Sequence, residues 1–393
     1  MLENLKEQAP DKIIELIGLY AADKREGKLD LGVGVYKDAA GNTPVMRAVK
    51  AAEAKLLAEQ DTKKYVGLLG DLSYVDAIRD LVLGDAVPAG RVCGAQEPGG
   101  TGAIRQLFEL IKAADAGATV WISDPSWPNH EAILKYVGLT IGKYRYFDEA
   151  TCGVDFAGMK ADLEGAKAGD VLLLHGCCHN PTGANITEAE WAEVTEIALA
   201  KGLMPMIDIA YQGFGDGLEA DAAGLRIMAA KVPEMLVAAS CSKNFGLYRD
   251  RVGAALIISK DEAGTALSKA NIAGLNRLNF SFPPDHGAKV VSIIMNDPAL
   301  RADWAAELEQ MRLNMLDLRQ GLADALRRET NSDRFDFVAE HRGMFSRLGL
   351  SQAQVMQLRS DHAIYMVGDS RINIAGLPKA GLDKLAKAIA SVI

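Results

Sequence analysis

The sequence contains few cysteines, few aromatic residues and no long apolar run. Of its 393 residues, five are cysteines and 6% are aromatic. The longest apolar runs are about six or seven residues, well short of the roughly 18 that a membrane-spanning helix needs. The cysteine count is odd, and no spacing matches a zinc site or a disulfide framework. We therefore expect no membrane partner, no bound metal and reduced thiols, as in a cytoplasmic protein.

An excess of positive charge is also missing. The formal net charge is −9 at pH 7, which argues against a nucleic-acid or anionic-membrane partner. The first residues, Met1–Lys6, lack the hydrophobic segment of a secretory signal. The length, with 49% hydrophobic and 24% charged residues, predicts a globular protein of about two domains.

Short apolar runs alternate with amphipathic stretches through the middle of the chain. The runs predict buried strands at Thr119–Ser123, Val171–His175, Met204–Asp208, Leu236–Ser240 and Ala254–Ser259. The predicted helices between them include Gly102–Ala114, Glu188–Lys201 and Leu225–Lys231. This alternation indicates an α/β fold with a largely parallel sheet covered on both faces. The last strand follows a connection with little helical signal, which leaves an antiparallel orientation open.

The pattern changes after about residue 300. Asp303–Glu329 predicts one long amphipathic helix. Strand-like pieces near Met344–Leu348, Ala363–Val367 and Ile372–Ile374 follow it, and then a terminal helix. We interpret this region as a second, α+β domain, which the segment Asp30–Tyr36 joins.

Polar residues follow four of the predicted strands at their carboxyl ends. They lie at 124–130, at 175–183, at Asp208 with Tyr211, and at Ser240 with Lys243. In an open parallel sheet, ligands bind outside the carboxyl ends of the strands. The sequence therefore predicts an active site at this edge of the sheet.

Lys243 lies among hydroxyl groups and arginines in the stretch Ser240–Arg251. A lysine there can form a Schiff base, and its neighbours can bind a phosphate, the two needs that pyridoxal phosphate combines. By itself, the stretch proves little, because a lone lysine is a solvated surface residue roughly nine times in ten. Asp208 suits either a protonated pyridine nitrogen or a helix N-cap.

Further candidates also have two interpretations each. Pro98–Gly102 could hold an anion at the start of the next helix or form an ordinary turn. Asn180 could hydrogen-bond a ring oxygen of a ligand or form part of a turn. Trp127 could stack on a heteroaromatic ring or pack in the hydrophobic core. Two arginines, Arg277 and Arg371, could bind carboxylates bidentately or remain solvated.

The histidines do not have the spacing of a metal site. We expect His130, His175 and His179 to be hydrogen-bonded side chains around the active site. His341 and His362 have no polar constellation around them and are predicted to play no part in it.

Taken together, these segments resemble the class I, fold-type-I family of pyridoxal-phosphate aminotransferases, in its aspartate/aromatic branch. Within that branch, the chain is most similar to bacterial aromatic-amino-acid aminotransferases. The resemblance covers essentially the whole chain. The stretches that carry it, in order, are Leu31–Tyr36, Lys64–Gly67, Pro98–Gly102, Pro125–His130, His175–Gly183, Asp208–Phe214, Ser242–Tyr248 and Arg371–Gly376.

The resemblance implies roles for the matching residues. Lys243 would be the Schiff-base lysine and the proton-transfer base, and Asp208 would pair with the pyridine nitrogen. Tyr211 and Asn180 would hydrogen-bond the phenolic oxygen of the ring. The phosphate would be bound by Gly100, Thr101, Ser240, Ser242 and Arg251, with Tyr65 reaching in from a partner subunit. Trp127 would stack on the ring, and the substrate would be bound by Gly34, Trp127, Asn180, Arg371 and, from the neighbouring subunit, Arg277.

The resemblance also implies an architecture. The fold would be fold type I, with a large cofactor-binding domain at residues 45–304 built on a mostly parallel seven-stranded sheet. A smaller α+β domain would comprise residues 13–44 and 305–393, preceded by an N-terminal arm at residues 1–12. Because the family completes its sites across a two-fold interface, a homodimer with shared active sites is implied.

The implied activity is transfer of an amino group between amino acids and 2-oxo acids such as 2-oxoglutarate, by a ping-pong mechanism. Phe282 stands where aspartate-specific members usually carry asparagine, and Lys64 stands where that asparagine's partner is often another asparagine. Loss of this polar anchor would let Arg277 swing out and admit an aromatic ring, lined by Ile13, Ile14 and Phe345. We therefore expect aromatic as well as dicarboxylic substrates; the alternative is an aspartate aminotransferase strict for dicarboxylates.

Three other classes of protein make different demands on the sequence. A nicotinamide-dependent oxidoreductase needs a dinucleotide fingerprint after its first strand, which is missing. A pyridoxal lyase or decarboxylase would share Lys243 and Asp208 but would not need Arg277. A non-catalytic binding protein would keep its function after Lys243→Ala.

Overall fold

The computed structural model describes residues 1–7 and 12–393, so the predicted N-terminal arm lies partly outside the described residues. The chain divides into two compact units, one formed by Met1–Thr43 with Met315–Ile393 and the other by Pro44–Asn314. The division falls inside the helix Pro298–Thr330, and so does the predicted domain limit after residue 304.

A central sheet organises the unit Pro44–Asn314. Seven strands of the described residues form it, in the spatial order Val92–Pro98, Val252–Ile258, Met235–Ser240, Met204–Ile209, Val171–His175, Thr119–Asp124 and Thr140–Arg145. Val252–Ile258 runs antiparallel to both of its neighbours, and the remaining pairs are parallel. The predicted α/β class with a mostly parallel seven-stranded sheet is confirmed.

Two strands of this sheet were not predicted individually from the sequence. Val92–Pro98 is interrupted by Gly94, Gln96 and Glu97, so it lacks the continuous apolar run of a buried strand. Thr140–Arg145 lies at the edge of the sheet, where its Lys143 and Arg145 can reach solvent. Both strands therefore carry polar residues that obscure the strand pattern.

Helices alternate with these strands. They are Arg47–Glu59, Leu72–Leu83, Gly99–Ala114, Pro128–Val137, Phe156–Leu163, Glu188–Lys201, Ala220–Ala229, Glu262–Asn279, Asp285–Asn296 and the beginning of Pro298–Thr330. Glu188–Lys201 has the predicted bounds because Thr187 and Glu190 form a capping box and Gly202 ends the helix at φ 65°. The helix predicted at Leu225–Lys231 instead runs from Ala220 to Ala229, since its first turn consists of small residues without apolar periodicity. Short pieces in this unit are the 3₁₀ turn Ala89–Arg91 and the ladder of Phe147–Asp148 with Gly153–Val154.

The unit formed by Met1–Thr43 and Met315–Ile393 is built from short ladders and helices. Leu29–Asp30 pairs in parallel with Ile364–Tyr365, and Phe345–Arg347 pairs antiparallel with Arg371–Asn373. Its helices are Lys12–Ala22, the end of Pro298–Thr330, Phe337–Glu340, Gln352–His362 and Leu382–Ala390, with 3₁₀ turns at Leu2–Asn4, Ile374–Gly376 and Lys379–Gly381. A buried apolar cluster that includes Leu31, Leu326, Ile372 and Leu385 holds these elements together. No helix among the described residues is both long and apolar enough to cross a membrane.

Candidate active site

A cavity of about 130 Å³ lies at the carboxyl ends of the parallel strands in the unit Pro44–Asn314. Its lining residues are Gly100, Thr101, Ile104, Trp127, His175, Cys177, Asn180, Asp208, Ala210, Tyr211, Ser240, Ser242, Lys243, Tyr248 and Arg251. The catalytic and cofactor-binding residues predicted from the sequence all belong to this lining except Tyr65. The fold thus brings together side chains from positions 100 to 251, at the edge of the sheet where parallel α/β folds bind ligands.

Several residues of the lining were not singled out from the sequence. Ile104, Cys177 and Ala210 are apolar or weakly polar neighbours of the predicted residues in the chain. Tyr248 ends the stretch Ser242–Tyr248 that carries the family resemblance, so its signal was present. These side chains complete the walls of the cavity.

The helix Gly99–Ala114 begins at one wall of the cavity and forms an anion cradle. Gly99 adopts φ 74°, and a Cβ at this position would lie 2.6 Å from Nη2 of Arg251. A Cβ on Gly100 would lie 2.9 Å from Cβ of Ser240. Glycines are therefore required here, because the guanidinium and the hydroxyl-bearing strand end approach the helix start directly. The free N–H groups of a helix start, together with an arginine, are the donors that a phosphate needs.

Arg251 is held beside two serines of the loop that carries the lysine. Its Nη1 donates to the Tyr248 carbonyl oxygen at 3.0 Å and to Ser242 Oγ at 3.4 Å. Ser240 Oγ in turn accepts from the backbone N–H of Ser242 at 3.3 Å. Positive charge and hydroxyl groups thus converge on one side of the cavity.

Lys243 lies in the turn that follows the strand Met235–Ser240. Its Nζ is 5.2 Å from the centre of the Tyr211 ring. Tyr211 is buried, whereas Lys243 is half-buried. An amine and a phenol of this kind can both reach a ligand that occupies the cavity between them.

Asp208 receives a directed chain of hydrogen bonds from behind the cavity. Its Oδ2 accepts from His130 Nε2 at 3.0 Å, and His130 Nδ1 lies 2.9 Å from Ser126 Oγ. Ser126 Oγ lies 3.2 Å from His175 Nε2, and His175 Nδ1 accepts from the backbone N–H of Asn180 at 3.3 Å.

A carboxylate can only accept, so His130 must donate from Nε2. Its Nδ1 then accepts from the Ser126 hydroxyl, whose oxygen accepts from Nε2–H of His175. Every donor in the chain therefore points toward Asp208, whose carboxylate accepts the last hydrogen bond.

The imidazole of His175 is held in its neutral form. Burial lowers the pKa of His175 to about 3, the neighbouring His130 imidazole acts in the same direction, and Asp208 opposes the shift. His179 stacks on His175 with ring centres 4.1 Å apart, and burial places its pKa well below the usual range. His179 is bonded to Ser123 Oγ and Thr182 Oγ1, both at 2.9 Å. These histidines act as neutral hydrogen-bonding groups.

Two predicted substrate-binding residues lie in the unit formed by Met1–Thr43 and Met315–Ile393. Arg371 begins the strand Arg371–Asn373, and its Nη2 donates to the Gly32 carbonyl oxygen at 2.9 Å. Its guanidinium carbon lies 4.4 Å from the centre of the Phe345 ring. A Cβ on Gly34 would lie 2.7 Å from Cζ of Phe345. Gly34, Phe345 and Arg371 therefore form one cluster, while Ile14 is 66% exposed.

The remaining predicted residues form a separate cluster, outside the cavity lining. The ring of Tyr65, which is 85% exposed, stacks on Phe282 with centres 4.7 Å apart and planes inclined by 15°. The guanidinium carbon of Arg277 lies 5.9 Å from the centre of the Phe282 ring, and Nη1 of Arg277 contacts Ser281 Oγ. Phe282 thus contacts both Tyr65 and Arg277, the two residues that the resemblance assigns to the active site of a partner subunit.

An α/β sheet whose strand ends assemble a lysine, an aspartate and an anion cradle in one cavity defines an enzyme that uses a phosphorylated cofactor. The profile of the family described as "Aminotransferase class I and II" matches residues 26–389. The chain belongs to this family.

Named relatives are similar over their full length. The aromatic-amino-acid aminotransferase of Paracoccus denitrificans is 56% identical, with 100% of both chains covered. The aspartate aminotransferase of Escherichia coli (strain K12) is 40% identical, again with 100% of both chains covered.

Solved structures are similar in the same way. An aromatic amino acid aminotransferase with 3-indolebutyric acid matches with a TM-score of 0.98 and 56% identity, with 100% of both chains covered. The aromatic-amino-acid aminotransferase from Burkholderia pseudomallei covalently bound to pyridoxal phosphate matches with a TM-score of 0.97 and 41% identity. That match covers 100% of this chain and 99% of the other.

Proposed function

We propose that this aminotransferase uses pyridoxal phosphate and transfers amino groups between aromatic L-amino acids and 2-oxo acids, with dicarboxylic acids such as 2-oxoglutarate as further substrates. One observation carries the proposal: Lys243, Asp208 and the cradle of Gly100, Ser240 and Arg251 line the same cavity. This donor set fits a cofactor that presents an aldehyde, a basic ring nitrogen and a phosphate.

Pyridoxal phosphate supplies an aldehyde that condenses with amines and a ring that withdraws electrons from the adjacent carbon. Lys243 would provide the amine that holds this aldehyde and would act as the base that moves the proton from the substrate α-carbon to the cofactor carbon. Asp208, which accepts the hydrogen bond of His130, would pair with the protonated pyridine nitrogen. Tyr211 and Asn180 bind the phenolic oxygen, and Trp127 covers a face of the ring.

Two arginines, Arg371 and Arg277, make the main proposed contacts with the substrate. Arg371 binds the α-carboxylate through its planar fork, with Gly34 beside it in the same unit. Arg277 binds the distal carboxylate of dicarboxylic substrates. For aromatic substrates, Arg277 leaves this subsite and rests against Phe282, an aromatic face that a cation favours. Arg277 is the residue that a lyase or decarboxylase would not need.

We further propose a homodimer in which Tyr65 and Arg277 complete the partner's site. The exposure of Tyr65 and the position of the Tyr65–Phe282–Arg277 cluster outside the cavity lining support this proposal. The domain limits and the arm implied by the resemblance belong to the same proposal. A cytoplasmic location fits the small number of cysteines, all five of which are buried.

Two experiments test the proposed function. Borohydride reduction of the yellow holoenzyme, followed by peptide mass spectrometry, is expected to attach the pyridoxyl group to Lys243; attachment at another lysine would refute the proposal. Half-reactions with phenylalanine and 2-oxoglutarate are expected to interconvert the two cofactor forms, as a lyase would not. A kcat/KM for aspartate far above that for phenylalanine would favour the strict aspartate aminotransferase.

A further inference from the structure

A second cavity, of about 230 Å³, shares two of its lining residues, His175 and Cys177, with the cofactor cavity. Its other polar residues include Asp216, Glu188 and Asp221. Asp216 and Glu188 are exposed, whereas Asp221 and Cys177 are buried. A cation entering this cavity would therefore pass exposed carboxylates and meet a buried carboxylate and a thiol.

The adjacent cysteines Cys177 and Cys178 both face Asp221. Their sulfur atoms and a carboxylate oxygen of Asp221 all lie within 4.8 Å of one another. Neighbouring residues in an extended chain point to opposite sides. Here Cys178 adopts φ 51°, in the left-handed region that few residues other than glycine occupy. Both thiols thus lie near one carboxylate where the backbone has this uncommon conformation. Residues with such backbone angles cluster at functional sites.

The surroundings of Asp221 resemble the support that a metal-binding carboxylate usually has. Oδ2 accepts from the backbone N–H groups of Gly213 and Gly215 at 2.8 and 2.9 Å, and Oδ1 accepts from that of Asp216 at 2.8 Å. These bonds fix the carboxylate and occupy both lone pairs of Oδ2, whereas Oδ1 keeps a second lone pair for an ion.

The glycine at 215 keeps the space beside the carboxylate open. A Cβ on Gly215 would lie 2.4 Å from Oδ1 of Asp221 and 3.2 Å from Sγ of Cys178. Any larger residue would thus fill the position between the oxygen and the sulfur.

We propose that Cys177, Cys178 and Asp221 bind a thiophilic divalent cation such as Zn²⁺ or Cd²⁺, which enters through the second cavity. Two sulfurs and one carboxylate oxygen are the ligands that such ions select, and water completes the fourth position. On binding, the two S–H bonds break, two metal–sulfur bonds form, and two protons pass to the buffer. Because Cys177 lines both cavities, occupancy also perturbs the cofactor site.

The test uses tag-free holoenzyme, freed of metal with a chelator and titrated with Cd²⁺ against a competing chelator of known affinity. We expect one Cd²⁺ per chain, a thiolate-to-cadmium charge-transfer band in the ultraviolet and a shift in the visible absorption of the bound cofactor. Cys178→Ala should weaken binding at least about tenfold and remove both signals. The matched control is Cys93→Ala, since Cys93 is also buried but lies in the strand Val92–Pro98, away from this group.

Cys177→Ala serves as a second variant should Cys178→Ala fail to fold. Absence of the charge-transfer band at saturating Cd²⁺, or equal affinity in the wild type and the cysteine variants, would overturn the site. Binding without any change in the cofactor spectrum would overturn the coupling between the two cavities. Transamination by the metal-free enzyme is unaffected by either result, so the proposed function is tested separately.

Discussion

His130 Nε2 lies 3.0 Å from Oδ2 of Asp208, and the His130 side chain is completely buried. The two residues are 78 positions apart in the chain. Through His130, Asp208 is joined to Ser126 and His175, which form the wall behind the cavity. The carboxylate that is proposed to keep the cofactor ring protonated is therefore positioned by buried hydrogen-bonding groups.

Replacement of His130 by asparagine should lower kcat about ten- to hundredfold for aromatic and acidic substrates alike, because the shorter side chain loses a hydrogen bond to a charged group. KM for the amino acid should change little, since His130 does not line the cavity. Steady-state kinetics with phenylalanine and aspartate measure both parameters. His362→Asn is the control, because His362 is bonded to Ser391 in the other unit. An unchanged kcat in His130→Asn would contradict the role of the chain.

Phe282→Asn should shift specificity toward dicarboxylates. The substitution removes the stack on Tyr65 and the aromatic face near Arg277, and it supplies an amide that can hold the guanidinium. Each effect is worth on the order of 1 kcal/mol, so together they should lower the ratio of kcat/KM for phenylalanine to that for aspartate by about ten- to hundredfold. For Phe282→Leu, which removes the ring without adding an amide, this ratio should lie between those of the wild type and Phe282→Asn. A ratio unchanged in both variants would remove Phe282 from the account of specificity.

Substitutions of Arg371 and Arg277 should affect different classes of substrate. Arg371→Lys should raise KM for phenylalanine and aspartate alike by about ten- to hundredfold, because lysine cannot bind a carboxylate bidentately. Arg277→Leu should reduce kcat/KM for aspartate by a similar factor and leave kcat/KM for phenylalanine nearly unchanged. Comparison of the two variants on both substrates provides its own control. Equal losses on both substrates in Arg277→Leu would refute its assignment to the distal carboxylate.

Shared active sites predict complementation between two inactive variants. In a mixed dimer of Lys243→Ala with Arg277→Leu, one of the two sites has both Lys243 and Arg277 intact. Random reassociation gives half mixed dimers, so aspartate transamination should recover to roughly a quarter of the wild-type value. Unfolding and refolding the variants together, with each refolded alone as the control, measures this recovery. No gain above the separate variants would argue against sites shared between subunits.

Glu97 predicts a pH dependence of stability. Its carboxyl group is fully buried, and among the described residues neither oxygen has a hydrogen-bond partner. Burial raises the pKa of Glu97 to about 9, and the Asn276 side chain opposes the shift. The unfolded chain has a pKa near 4.3 for glutamate. Between these two values the folded state holds a proton that the unfolded state has lost, so the free energy of unfolding falls as pH rises.

Glu97→Gln removes this ionisation. The free energy of unfolding of Glu97→Gln minus that of the wild type should therefore increase from pH 5 to pH 9, by up to about 1.4 kcal/mol per pH unit. Below about pH 4 the difference should be constant, since the carboxyl group is then protonated in both states. Denaturant titrations of both proteins across this range measure the difference. A difference independent of pH would show that Glu97 is ionised in the folded protein.

Local sequence patterns predicted much of the fold. The continuous apolar residues of Val171–His175 predict the observed strand without error, because a strand buried on both faces needs no polar alternation. Val92–Pro98 escaped detection since Glu97 and Gln96 are polar yet buried. Their polarity is accommodated by tertiary surroundings, including the Pro284 carbonyl oxygen, which accepts from Gln96 Nε2 at 2.7 Å. A one-dimensional pattern contains no information about such distant partners.

The sequence by itself determined which chemical groups the protein carries and at which strand ends they stand, since strand and helix periodicities depend on neighbours within a few residues. Which groups meet was decided only by the tertiary structure. Pairing of two parallel strands sets His175 opposite Asp208. The packing of Pro128–Val137 then brings His130 onto Asp208, and the course of the chain around Arg277 places Phe282 against Tyr65. These encounters depend on strand order and on the paths of loops, which fix three-dimensional distances between residues far apart in the chain.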